Sequence, residues 1–218
     1  MTNNTTWMPL FPLKTVLFPD GVLPLRVVEA CCIDMIRDCM RRDSQFGVVL
    51  LKSGSESSDS SELENVGCIA HITSWDMPQL GVLKLRTRGG LRFRIRRTRR
   101  LANKQLEAQI DPIVSDTPIL PAGAHVDCAD TLKIIIDDLD RRQACGMEKI
   151  SDSPFTLPIR LDDTGWVADR WSEILPLPLK ARQKLLEVED AESRMDLVLH
   201  LLKQEEVLQV RQKTDRRS

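Results

Sequence analysis

A chain of 218 residues, 42% hydrophobic and 29% charged, is ordinary globular material, long enough to bury about 70% of its unfolded surface without disulfides or metal. A formal net charge of −1 excludes a global pull toward nucleic acid or membrane, so any electrostatic function must come from local asymmetry. Aromatics are only 4% and tyrosine is absent, which leaves Leu, Ile and Val to build the core.

Residues 1–8, MTNNTTWM, lack the basic start of a secretory signal. No run approaches the ~18 consecutive apolar residues of a membrane span. A cytoplasmic protein with no membrane partner is expected. The apolar, proline-laced stretch PLFPLKTVLFPDGVLPLRV follows, from Pro9 to Val27. Pro19-Asp20-Gly21 carries turn chemistry, and the short apolar runs flanking it predict strands. Proline cannot donate to a ladder, so Pro9, Pro12 and Pro24 belong at edges, strand starts or bends.

VVEACCIDMIRDCMRRD (27–43) has helical period, with Val28, Cys32, Ile36 and Cys39/Met40 on one face. Strands are predicted at 45–52, 66–73, 80–87 and 90–100, with 106–114 as a possible fifth. In the fourth, Leu91, Phe93 and Ile95 alternate with Arg92, Arg94 and Arg96, the pattern of a half-buried antiparallel strand. Gly89-Gly90 between two such runs reads as a hairpin turn. The serine- and acid-rich stretch at 53–65 is expected to be a solvated loop.

A Pro/Gly-rich boundary at 115–125 precedes a change to helical patterning. A long helix starts at Ala124, and others are expected at 163–175, 176–188 and 190–208. Prolines are tolerated in the first turn of the third, and Asp190 caps the fourth. The fold class is α+β: a bent antiparallel β-rich half of five to six strands plus one helix, followed by a C-terminal helical bundle. The expected divisions are 1–118, 119–210 and a disordered tail at 211–218.

Four stretches taken in order carry a resemblance: PLFPLKTVLFPDGVLPLRV running into EACCIDMIRDCM; FGVVLL, the acidic-serine loop and VGCIAHI; GVLKLRTRGGLRFRI; and LPLPLKARQKLLEVEDAESRMDLVLHLL. Together they span about 9–202, and the chain resembles a free-standing N-terminal (LON) domain of the Lon protease family. That resemblance implies a PUA-like pseudo-barrel in the β-rich half and a substrate- or partner-recognition role. It carries no GxxxxGK[ST] phosphate loop and no Ser–Lys protease signature. Neither enzyme activity nor a cofactor is therefore expected.

Side-chain chemistry is sparse. His71, His125 and His200 read as packed or surface imidazoles. His125 and Cys128 could offer two metal ligands on one turn, but no second pair has zinc-like spacing, and no metal is assigned. Cys31, Cys32, Cys39, Cys68, Cys128 and Cys145 show no CxxC spacing and read as small hydrophobes in a reducing compartment. The acid runs at 137–140 and 187–192, flanked by Arg141, Arg142 and Arg194, read as solvated, ion-paired faces.

Charge is the unusual local feature. Between Lys84 and Lys104 there are ten basic residues and no acid. Lys84, Arg86, Arg88, Arg92, Arg94 and Arg96 are the candidate partner-binding residues. Their repulsion is offset either internally, by Glu107, Asp111 or the acidic loop at 56–64, or by a ligand. The ligand would be extended or unfolded polypeptide or an acidic protein partner. The alternative is a nucleic-acid backbone.

Overall fold

The computed structural model describes residues 7–53, 62–146 and 153–205; the expected solvated loop, for the most part, and the expected tail lie outside them. Contacts divide the chain into two compact units, Met1–Ser115 with Pro178–Glu187, and Asp116–Leu177 with Val188–Ser218.

The first unit holds β1 (Met8–Leu13), β2 (Val22–Val27), α1 (Ala30–Arg41), β3 (Phe46–Ser53), β4 (Glu62–Gln79), β5 (Val82–Arg100), β6 (Leu106–Pro112) and, far along the chain, α4 (Leu179–Glu187). The six strands are ordered β2-β5-β4-β3-β1-β6, and β6 also pairs with β5, so the ladder from β5 through β1 and β6 returns to β5. The sheet is mixed, which corrects the antiparallel expectation: β1 and β3 run parallel. The connection between them contains β2 and α1, and such a long crossover is what a parallel pair requires.

Both faces of β1 and β3 are covered. Phe11, Leu13, Phe46 and Val48 join one apolar cluster with Ile33, Ile36 and Cys39 of α1, while Leu10 and Val49 join another with Phe93 and Leu106. Two-sided burial is why LFPL and FGVVLL are continuous apolar runs rather than alternating ones. The helix face is shifted from the expected one, for Val28 precedes α1 and is 55% exposed. The prolines obey the ladder. Pro9 lies where β1 pairs with β6 alone and Pro12 where it pairs with β3 alone; Pro24 is in β2, whose strand partner is β5.

Gly89-Gly90 is not a hairpin. It lies inside β5, and the β4–β5 turn is at Leu80-Gly81, where Gly81 takes φ 81°. The glycines serve a close approach instead. Asp20 N donates to Gly89 O and Gly89 N donates to Gly21 O, both at 2.9 Å, so the Pro19–Gly21 turn lies directly on the strand. Asp20, at φ 59°, takes the left-handed position in that turn.

In the second unit are α2 (Ala124–Ala144), α3 (Thr164–Ile174) and α5 (Ala191–Gln204). Trp166, Val167 and Trp171 of α3 are buried, as are Leu132 of α2 and Met195, Val198 and Leu202 of α5. Trp171 Nε1 donates to the Cys128 carbonyl at 3.1 Å. Asp163 caps α3 by accepting from the Gly165 and Trp166 amides, and Asp190 caps α5 by accepting from Ser193 N. Among the described residues no helix is long and apolar enough to cross a membrane.

Candidate functional site

The basic stretch is distributed over both faces of β5 rather than gathered on one. A register shift between Cys68 and Ala70 of β4 adds a residue to β5 there and changes which side chains point inward. Leu91 is 44% exposed and Arg92 only 4% exposed, the reverse of the expectation at these two positions, whereas Phe93 is buried and Arg94 and Arg96 are exposed as the alternation predicts. Arg92 Nη1 donates to the Leu186 carbonyl of α4 at 3.1 Å. The neighbouring Gln183 donates to Val66 O at 3.0 Å, so α4 is fastened to the sheet by polar contacts at two points.

The other candidates have varied surroundings. Arg88 Nε donates to Asp20 Oδ1 at 3.0 Å. Arg96 pairs with Asp111, opposite which Arg94 also lies in the ladder. Lys84 is exposed, between Arg26 and Asp76 in register, and Arg86 is half-buried opposite Pro24 and Ser74. Beyond the candidate set, Arg99 donates to Glu107 at 2.8 Å, and its guanidinium stacks 4.1 Å from the Trp7 ring centre. Pairing with β6 brings Glu107 and Asp111 against the arginines, an internal offset of the repulsion.

An apolar surface lies elsewhere on the same unit. β4 pairs with β3 as far as Ala70; among the described residues its continuation from His71 to Gln79 pairs with β5 alone. This strand end carries Trp75, 59% exposed, and Met77, 38% exposed, and the turn after it presents Leu80 at 97%. Together with Ile33 and Met40 of α1 and Leu83 of β5, Trp75 and Met77 line a groove of about 350 Å³, with Arg37 and Arg41 on its rim. Period-two alternation of Trp75 and Met77 with Ser74 and Asp76 was the available sequence signal, hidden because the strand was expected to end at 73.

The other titratable groups singled out in the sequence have varied surroundings. His71 is exposed, and His200 Nε2 lies 3.0 Å from Gln204 Nε2. His125 Nε2 lies 2.8 Å from Asp196 Oδ1, while the Cys128 thiol is buried against the Ala124 carbonyl. Asp137 pairs with Lys133, and Asp138 with Arg141 and Arg142. Burial works against the Glu187 charge, but hydrogen bonds from Lys184 and Gln183 outweigh it and hold the carboxyl below its usual range. Arg194 departs from the expected solvated face: it is 1% exposed and paired with Asp116 and Asp169.

Comparison with known proteins places this geometry in context. A family model described as the ATP-dependent protease La (LON) substrate-binding domain matches residues 7–204. The chain is 29% identical to Lon protease 2 of Myxococcus xanthus, over 95% of this chain and 25% of that protein. Identity to Lon protease 2 of Herpetosiphon aurantiacus is 30%, over 93% and 24%. The chain thus spans about a quarter of the length of these relatives. The crystal structure of a Lon N-terminal domain protein from Xanthomonas campestris superposes with a TM-score of 0.71 at 30% identity, covering 89% of this chain and 98% of that one. Neither the pairing of the arginines nor these comparisons support the nucleic-acid alternative.

Proposed function

Because this chain belongs to the ATP-dependent protease La (LON) substrate-binding domain family, we propose that it is a recognition module for extended or unfolded polypeptide, working without bond-making or bond-breaking of its own. The observation that carries this reading is the apolar groove beside the β4 edge. From His71 to Gln79 the strand offers main-chain groups along a side to which no described strand is paired. An extended segment can add there as a further strand. Its apolar side chains would seat against Trp75 and Met77, and the flexible thioethers of Met40 and Met77 suit varied sequences. Arg37 and Arg41 on the rim, though each is paired with an aspartate of α1, favour segments with acidic residues beside the apolar ones, and hence acidic protein partners.

Titrating a labelled, reduced and alkylated model polypeptide by fluorescence polarisation tests this. Affinity in the micromolar class is expected, falling at least about tenfold in Trp75→Ala, with the thermal midpoint of the domain unchanged because Trp75 is already largely in solvent. Absence of binding at high protein concentration, or equal affinity in the variant, removes the reading.

A further inference from the structure

We propose that Glu29, Cys31 and Cys32, at the start of α1, form a binding site for a thiophilic divalent metal ion of the zinc class. Their ligand atoms all lie within 4.8 Å of one another. The two Sγ atoms are 3.9 Å apart, and Cys31 Sγ is 3.9 Å from Glu29 Oε2. Around a tetrahedral zinc, Zn–S bonds of about 2.3 Å set an S···S edge of about 3.8 Å, and a carboxylate oxygen sets an S···O edge of about 3.6 Å. The side chains therefore stand close to the spacing that coordination requires.

Three further observations point the same way. Glu29 occupies the N-cap of α1 yet makes no side-chain cap hydrogen bond, so its carboxylate is not committed to the helix end. Both cysteines are only partly buried, which leaves a path for an ion from solvent, whereas Cys39, Cys68 and Cys128 are buried. All three residues line one cavity of about 20 Å³, room for a single water-sized fourth ligand. Two thiolates and a carboxylate around a divalent cation leave one negative charge, and Lys104, lining the same cavity, supplies its counterpart. Coordination displaces two thiol protons to solvent as the two sulfur–metal bonds form, with no change of oxidation state. The site depends on neither the groove nor the polypeptide reading.

The test is titration of the reduced full chain with Zn²⁺ against a competing chromophoric chelator, and with Co²⁺ read by thiolate charge-transfer absorption, in a Cys145→Ser background that removes the exposed thiol. One ion per chain is expected, with affinity rising with pH. Cys31→Ser and Cys32→Ser should each weaken it at least tenfold and roughly halve the charge-transfer absorption of the bound ion, while Glu29→Gln should weaken it and keep the band. These part-exposed positions should tolerate the changes, and circular dichroism checks that each variant is folded. Zinc affinity in the Cys31→Ser/Cys32→Ser double variant equal to that of the background chain, or a Co²⁺ band that survives in it, overturns the proposal.

Discussion

Arg194 and Asp169 meet at 2.9 Å with side chains only 1% and 7% exposed, an ion pair sealed inside the second unit. Arg194 also pairs with Asp116 and donates to the Val188 carbonyl at 2.8 Å. Burial opposes the guanidinium charge, but Asp169 and Asp116 more than offset it and hold the pKa above the ordinary value. Removing one partner of such a group strands the other charges away from water, which costs far more than the intact pair contributes.

Arg194→Met is accordingly expected to destabilise the second unit by roughly 3–5 kcal/mol. Denaturant unfolding followed by tryptophan fluorescence reads this directly, since Trp166 and Trp171 flank Asp169 on α3. Lys133→Ala, which breaks an exposed pair with Asp137, should cost no more than about 0.5 kcal/mol. Similar losses in the two variants would mean that the buried pair carries no special weight.

Gly89 gives a second contrast. A Cβ at this position would stand 1.9 Å from the Phe18 carbonyl oxygen, and that backbone is fixed by the reciprocal bonds between Gly89 and the Asp20–Gly21 turn. Gly89→Ala should cost at least about 2 kcal/mol by forcing strand and turn apart. At Gly90 the added methyl would meet the ring of His71, 2.5 Å away, and an exposed imidazole can swing aside. Thermal unfolding of the two alanine variants should therefore show a clearly lower midpoint for position 89; equal midpoints would contradict the close-approach argument.

These two contrasts mark what the sequence made legible. Local signals came through well: the helical period from Ala124 onward, the Asp190 cap, the Pro19–Gly21 turn and the proline positions all rest on interactions within a few residues. Non-local choices did not. A glycine pair suits a hairpin or a strand interior equally, so the continuity of β5 was hidden. The burial of Arg92 goes with its bond to the Leu186 carbonyl of α4, a contact 94 residues away that no alternation within β5 encodes. The parallel β1–β3 pair, the groove walled by α1 and β4, and the burial of Arg194 against Asp116 each join residues far apart in the chain. Composition could flag the excess of arginine, and Glu107 and Asp111 stood among its candidate internal counterions, but only the β5–β6 register assigned them to Arg99 and Arg96.

Helix α3 tests the capping argument. Asp163 Oδ1 accepts from Gly165 N at 3.0 Å and from Trp166 N at 3.4 Å, satisfying amides that have no partner inside the helix. Asp163→Ala should cost about 1 kcal/mol, while Asp163→Asn, which keeps an accepting oxygen, should recover most of it. Denaturation midpoints at neutral pH check both. Equal losses in the two variants would assign the stabilisation to charge rather than to the cap.

The buried thiols predict a specific alkaline weakness. Burial first, and the neighbouring Asp127 second, push the Cys128 thiol up to about 11; burial likewise raises Cys39. In the unfolded chain a cysteine ionises near about 8.5. Between these values the native protein keeps a proton that the unfolded chain has released, so the stabilisation present below the unfolded pKa is lost as pH rises toward about 11. Lysines titrate in the same range, so the useful quantity is the difference between the parent protein and Cys128→Ala. Its advantage in thermal midpoint should be constant from pH 6 to 8 and shrink steadily between pH 9 and 11. Below pH 8, a thiol reagent should label Cys128 only after unfolding, while the exposed Cys145 reacts in the native state. An advantage that stays constant to pH 11, or rapid native labelling of Cys128, would mean that the thiol is not held protonated by its surroundings.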